Sequence, residues 1–169
     1  MPDEQGKLAE LGRALPIALR RSLALLSMLA ALWLLFMATT TLASTRVTVL
    51  ATGYLVGGAL LLAVSRLSVR AAWTTAAAVL GGLTGTVLSL WVREEGSLIA
   101  FSYTLRRGYP LHAMHRTGAG ASVAEARAAL AAQPWRPDWG YALADLLFWG
   151  YCGLAVAVLV TVLVRLARS

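Results

Sequence analysis

The sequence predicts an all-α integral membrane protein: a bundle of four transmembrane helices, with a small extramembrane hairpin-plus-helix cap between the third and the fourth. Three observations predict it. The 169-residue chain is 59% hydrophobic and only 14% charged, where a soluble domain is about a quarter charged. Its apolar residues gather into four runs long enough to cross a bilayer. Its arginines stand beside or between those runs rather than inside them, where they orient helices and meet phospholipid headgroups.

Residues 1–21 carry Asp3, Glu4, Lys7, Glu10, Arg13, Arg20 and Arg21. Leu8, Leu11, Leu15 and Leu19 recur at spacings of three and four, which is one apolar stripe on a short helix. Such a segment is expected to lie flat at the membrane surface or in a partner's groove, and Pro16 is expected to bend or interrupt it. The first span, 22–44, holds 23 residues without a charge. It covers about 34 Å as a helix, enough for the hydrocarbon core. Thr41-Leu42-Ala43 has the look of a signal-peptide cleavage site. The apolar run is too long and its charged leader too extended for that, so an uncleaved helix is expected.

The second span, 47–65, is bounded by Arg46 and Arg66. Its short link to the first predicts a tight antiparallel hairpin. The third span is 71–92. The fourth, 139–165, carries Asp145 as its internal charge and leads to a tail at 166–169.

Between the last two spans lies the polar segment 93–138, too long to be a structureless loop. Leu98–Leu105 reads as a strand, Arg106–Pro110 as a turn and Leu111–His115 as the returning strand. Ser122-Val123-Ala124-Glu125 matches a capping box and opens a short helix to Gln133. Asp138 is placed to cap the fourth span.

Arg20 and Arg21 abut the first span, and Arg66, Arg70, Arg165 and Arg168 fall on the same side as they do, against Arg46 alone on the other. That asymmetry predicts a multi-pass protein of the cell membrane with both termini cytoplasmic and the 93–138 cap external. Six arginines in the cap pull the other way. Small residues mark where helices approach, because close backbone contact drives association in lipid. Gly53 and Gly57 form one such row, and Ala77, Gly81 and Gly85 another.

Chemistry-bearing residues are few. The net charge of +7 belongs to helix flanks, so no nucleic acid is expected. The single cysteine, Cys152, excludes an intramolecular disulfide, a CxxC redox pair and a Cys-rich zinc site. The first three spans contain no Asp, Glu, Lys, Arg or His, which counts against a proton-coupled exporter. No phosphate loop, nucleophile elbow or HExxH is present, so no catalytic residue and no cofactor is expected.

Asp145 sits about two helical turns inside the fourth span, among interfacial aromatics. The simplest reading is a bridge to Arg93, Arg106 or Arg107 that pins the cap to the bundle. Arg106, Arg107 and Arg116, with Asp145, are the candidate ligand-binding residues, since guanidinium forks suit carboxylate or phosphate. His112 and His115 are weak candidates for a metal, sharing a face only if their segment is helical. Glu94 and Glu95 read as a solvated helix end or as partners of Arg106 and Arg107.

Arg107-Gly108-Tyr109-Pro110-Leu111, Asp138-Trp139 and Asp145-Leu146-Leu147-Phe148-Trp149 resemble a pattern in small four-span membrane proteins of bacteria and archaea. In these, a Gly-aromatic-Pro segment precedes a last helix opened by an acidic-aromatic pair. The resemblance implies that the loop and the start of the fourth helix form one unit; it implies no activity. The sequence thus leads first to a non-enzymatic accessory or scaffold subunit of a membrane assembly. Its partners would be the lipid bilayer and other membrane subunits or a second copy. The second reading is a small transporter or binder of an anionic amphiphile or lipid that uses the arginine-rich cap. The third is a membrane enzyme with a His/Asp site there.

Overall fold

The computed structural model describes residues 2–40, 45–64, 71–99 and 102–168, with side chains from Ile17 onward except those of 40 and 97–99. The elements in order are α1 (Pro2–Thr40), α2 (Thr45–Ala63), α3 (Ala71–Ser89), β1 (Arg93–Ile99), β2 (Ser102–Arg107), β3 (Met114–Ala119), α4 (Val123–Ala132), β4 (Arg136–Pro137) and α5 (Trp139–Leu166). The molecule is mostly helical, and Ile17–Thr39, Thr45–Ala63, Ala71–Ser89 and Trp139–Leu166 are each long and apolar enough to cross a membrane.

Several expectations are corrected. The protein is not all-α: β1 to β4 form one antiparallel sheet in the order β1-β2-β3-β4. Leu98–Leu105 is not one strand either, because the chain turns back between Ile99 and Ser102 so that β1 pairs with β2. Beyond the apolar helices, β1 to β3 satisfy one another's backbone groups through these ladders. Helix α1 also runs on through Pro16 without interruption. The leucine stripe at Leu8, Leu11 and Leu15, the Thr41-Leu42-Ala43 site, Arg66 and Arg70 lie outside the described side chains.

Helix α3 stops at Ser89, three residues short of the expected span. The N–H groups of Leu90, Trp91 and Val92 then bond the carbonyls of Val87, Leu88 and Ser89 at 3.2, 3.1 and 2.9 Å. These are tightened i to i−3 turns that end the helix and release the chain into β1. Ser122 caps α4 through its side chain, and Asp138 caps α5.

The four long helices stand in a row. α1 packs along α2, α2 along α5, and α5 along α3. The aromatic rings of Phe148 and Tyr151 on α5 lie against Gly53 and Gly57 of α2, and Gly153 and Trp149 of α5 lie against Gly81 and Gly85 of α3. Ala77 joins this second contact through its carbonyl, which faces Gly153. Both small-residue rows therefore face α5, which is the central helix. Gly58, one position on from Gly57, faces Ala24 and Met28 of α1, so α2 has a glycine toward each neighbour.

The Tyr151 hydroxyl pairs with Ser27 of α1, and the Tyr54 hydroxyl donates to the Ala144 carbonyl at 3.0 Å. Thr39, Thr52, Thr74 and Thr84 donate to carbonyls of their own helices at 2.6–2.9 Å, the local satisfaction usual for a helical threonine. Outward faces are apolar too: Leu25, Leu29, Trp33 and Phe36 of α1 are each more than half exposed. A helix apolar all round suits lipid rather than water.

Candidate functional site

Alternation along a strand sends neighbouring side chains to opposite faces of the sheet. Register then decides which meet. Arg106 stands opposite His115 and Glu94, and Thr104 opposite Thr117; these share one face. Arg107 stands opposite Met114 and Arg93, and Leu105 opposite Arg116; these share the other face, with Gly118. Helix α4 covers that second face, its backbone at Ala126 and Leu130 so close that Gly118 has no room for a Cβ.

The first face borders a cleft of about 390 Å3 lined by Thr104, Arg106, His112, His115, Thr117 and Tyr141. Tyr141 reaches it from the first turn of α5, where Asp138 Oδ1 accepts the Tyr141 N–H at 3.1 Å. Thr104 and Thr117 share a hydroxyl–hydroxyl bond of 3.3 Å. His112 comes from the loop between β2 and β3, and its Nε2 lies 2.8 Å from Glu94 Oε2. Arg46, from the first turn of α2, meets the same oxygen at 2.6 Å. Its guanidinium also donates to the Gly108 carbonyl at 3.3 Å and lies 5.4 Å from the centre of the Tyr109 ring. The His112 hydrogen bond, and then the charges of Arg46, His112 and Arg106, hold the Glu94 carboxyl below its ordinary range against a smaller opposing effect of burial.

Arg106 itself makes no ion pair or hydrogen bond among the described residues. The cleft is thus a polar recess with one guanidinium whose N–H groups are not hydrogen-bonded among the described residues, two imidazoles and three hydroxyl groups. Such a set offers the hydrogen-bond donors that a carboxylate or a phosphate takes. Among the described residues no three His, Cys, Asp or Glu side chains are grouped to hold a metal ion. His112 and His115 do not share a helix face, because one lies in a loop and the other in β3.

The other predicted ligand residues are elsewhere. Arg107 and Arg116 lie on the α4 face, 4.2 and 4.7 Å from the centre of the Trp135 ring, as cations over an aromatic face. Asp145 is fully buried beneath the β2–β3 loop. It does not bridge to Arg93, Arg106 or Arg107: its Oδ1 accepts the backbone N–H of Leu111 at 2.9 Å. The reason is geometric, since the loop rather than the strand comes down onto α5. One turn further, Trp149 Nε1 donates to the Tyr109 carbonyl at 2.9 Å.

Gly108 has φ +122°, and a Cβ there would come 2.5 Å from the Leu111 carbonyl oxygen and 3.3 Å from Asp145 Oδ2. A glycine is required by both conformation and space. The Tyr109–Pro110 peptide is cis, and Pro110 is fully buried. The Asp138 N–H donates to the Ala113 carbonyl at 2.9 Å and closes the loop at its far end.

The residues that position the cleft, Glu94, Arg46 and Tyr141, carry no sequence signal for that role. Thr104 with Arg106 and His115 with Thr117 carry one, the period of two along a strand.

No protein-family model, no curated protein and no solved structure matches this chain. The motifs that resemble four-span membrane proteins are the two sides of one joint, Gly108–Leu111 of the loop against Asp145 and Trp149 of α5.

Proposed function

We propose that the protein is a multi-pass membrane protein that binds an anionic amphiphile, with a carboxylate or phosphate headgroup held by Arg106 in the cap cleft. The observation that carries this reading is the state of the charges there. Glu94, the carboxylate opposite Arg106 in the sheet, is already bonded by Arg46 and His112, so Arg106, which acts on it only through its charge, keeps its N–H donors for the cleft. His115, the threonine hydroxyls and Tyr141 supply further bonds to the headgroup oxygens.

The cleft also has the right position. It opens at the start of α5, where Trp139 is 77% exposed and Tyr141 48% exposed, as interfacial aromatics are. A tail running from the cleft follows the apolar outer face of α5, past the exposed Leu143. In this reading the cap is external and both termini are cytoplasmic, as the Arg20–Arg21 pair beside the first span favours.

The test is extraction of the tagged full chain from its own membrane in mild detergent, followed by native mass spectrometry. The expected result is a defined anionic lipid or small molecule on the wild type, lost on Arg106→Ala and weakened on His115→Ala. A fixed set of other subunits with no such ligand would overturn it in favour of an accessory subunit.

A further inference from the structure

In the helix row, α1 packs chiefly on α2, and α3 chiefly on α5. Between the α1–α2 pair and the α3–α5 pair runs a furrow. Its central part is a cavity of about 290 Å3 whose walls come from all four long helices, Leu23, Leu61, Leu83 and Leu147 among them. A second cavity of about 240 Å3 continues it toward the end of the bundle opposite the cap. The two share Leu61, Ala78, Val79 and Leu154, so they are one channel. Val79 is 54% exposed and Leu83 53% exposed, so the channel is open along its side.

Water is a poor occupant, because it needs two or more polar partners and the central walls are aliphatic apart from glycine and Tyr151. The polar end tells what else the occupant carries. There the furrow is lined by Arg20 of α1, beside Val64, Ala71 and Thr74. The Arg20 Nε is buried with no hydrogen-bond partner. Arg21, Arg165 and Arg168 flank the same end. Every carboxylate among the described side chains, from Glu94 to Asp145, lies in the cap or in the cap-side half of α5. No carboxylate among the described side chains therefore lies at the Arg20 end of the bundle.

We propose that the furrow holds one acyl chain of an anionic phospholipid whose phosphate is bound by Arg20. The chain lies between the helix pairs along Ala78 and Leu154. The phosphate sits at the end of α1, where a guanidinium fork takes two of its oxygens. A transmembrane helix is about 10 Å across with side chains and would lie over the furrow instead of filling it. This site is at the opposite end of the bundle from the cap cleft and does not depend on that reading.

The test uses the purified full chain in mild detergent, delipidated and then offered phosphatidylglycerol or phosphatidylcholine of the same acyl composition, with native mass spectrometry as the readout. The wild type retains one phosphatidylglycerol, about tenfold more tightly than phosphatidylcholine, as one charge-assisted contact implies. Arg20→Gln brings the two lipids level, and Val79→Trp, at a half-exposed wall, reduces both. Arg106→Ala changes neither, which separates this site from the cap. In native membranes, a photoreactive side chain introduced at Val79 crosslinks to lipid. Equal retention of the two lipids by the wild type, no change on Arg20→Gln, or a crosslink from position 79 to protein would each overturn the proposal.

Discussion

Asp145 and Leu111, 34 positions apart, meet through a carboxylate oxygen and a backbone N–H at 2.9 Å. Around that bond the cap is fastened to the helices: Trp149 holds the carbonyl of Tyr109, Arg46 that of Gly108, and the Asp138 N–H that of Ala113. The loop between β2 and β3 is thus an inserted plug, held through its own backbone by two helices. The cleft borders this plug, and His112 belongs to both.

Removing the acceptor leaves a buried N–H unpaired, which costs about 1–3 kcal/mol. Asp145→Ala should lower stability in mixed-micelle denaturation by that amount and expose the cap to limited proteolysis. Asp145→Asn keeps an acceptor oxygen and should cost less. Gly108→Ala should behave like Asp145→Ala, since a side chain at φ +122° costs about 1–3 kcal/mol in strain before any clash. Equal loss from Asn and Ala at position 145 would show that charge, not the hydrogen bond, holds the loop.

Helix packing gives a contrast within one residue type. A Cβ at Gly81 would come 2.7 Å from the Gly153 Cα, which is backbone and cannot swing aside, whereas a Cβ at Gly96 would meet nothing within 4 Å. Gly81→Ala should destabilise by about 1–3 kcal/mol as overpacking does. Gly96→Ala should be neutral or stabilise by up to about 1 kcal/mol through the unfolded chain. Denaturation of the two variants side by side checks the close contact of α3 with α5.

Glu94 gives a pH dependence whose sign is fixed. Its carboxyl is held below the ordinary value of 4.5, chiefly by the His112 hydrogen bond and then by Arg46. The stabilisation is therefore fully present above that ordinary value and is lost as pH falls through the lower folded one. The side chain is 47% exposed, so solvent screening keeps the effect under about 1 kcal/mol. Stability measured from pH 7 down to 3 should fall more steeply in the wild type than in Glu94→Gln. Parallel curves would contradict the pairing.

Orientation is open to a labelling test. In a Cys152→Ala background, Ala128→Cys places a thiol on the exposed surface of α4. It should react with an impermeant maleimide in intact cells. Reaction only after lysis would put the cap in the cytoplasm. Gly118 is unsuitable for such a probe, because α4 covers it.

The long helices were legible because a charge-free apolar run of about 20 residues has few other readings. The small-residue rows were legible as rows, but their common partner was not: nothing in the spacing of Gly53 and Gly57 names Phe148 and Tyr151. The sheet was harder. β1 reads Arg-Glu-Glu-Gly-Ser-Leu-Ile, whose polar start looks like a helix end, and the apolar stretch that follows it is split by a reversal of the chain.

The site was legible only as a set of residue types. Arg106 and Arg107 are neighbours in sequence, yet the pleat sends them to opposite faces. Asp145 was sought by cations and found by a backbone N–H, a donor that every residue but proline carries and no sequence pattern marks.

The most direct measurement is calorimetric titration of the purified full chain with dihexanoyl phosphatidic acid, dihexanoyl phosphatidylcholine and inorganic phosphate. The account predicts one site for the phosphatidic acid, weaker binding of free phosphate, and a loss of about tenfold or more in affinity on Arg106→Gln, as removal of a charge-assisted pair implies. Phosphatidic acid binding no tighter than phosphatidylcholine, or unchanged by Arg106→Gln, would contradict it.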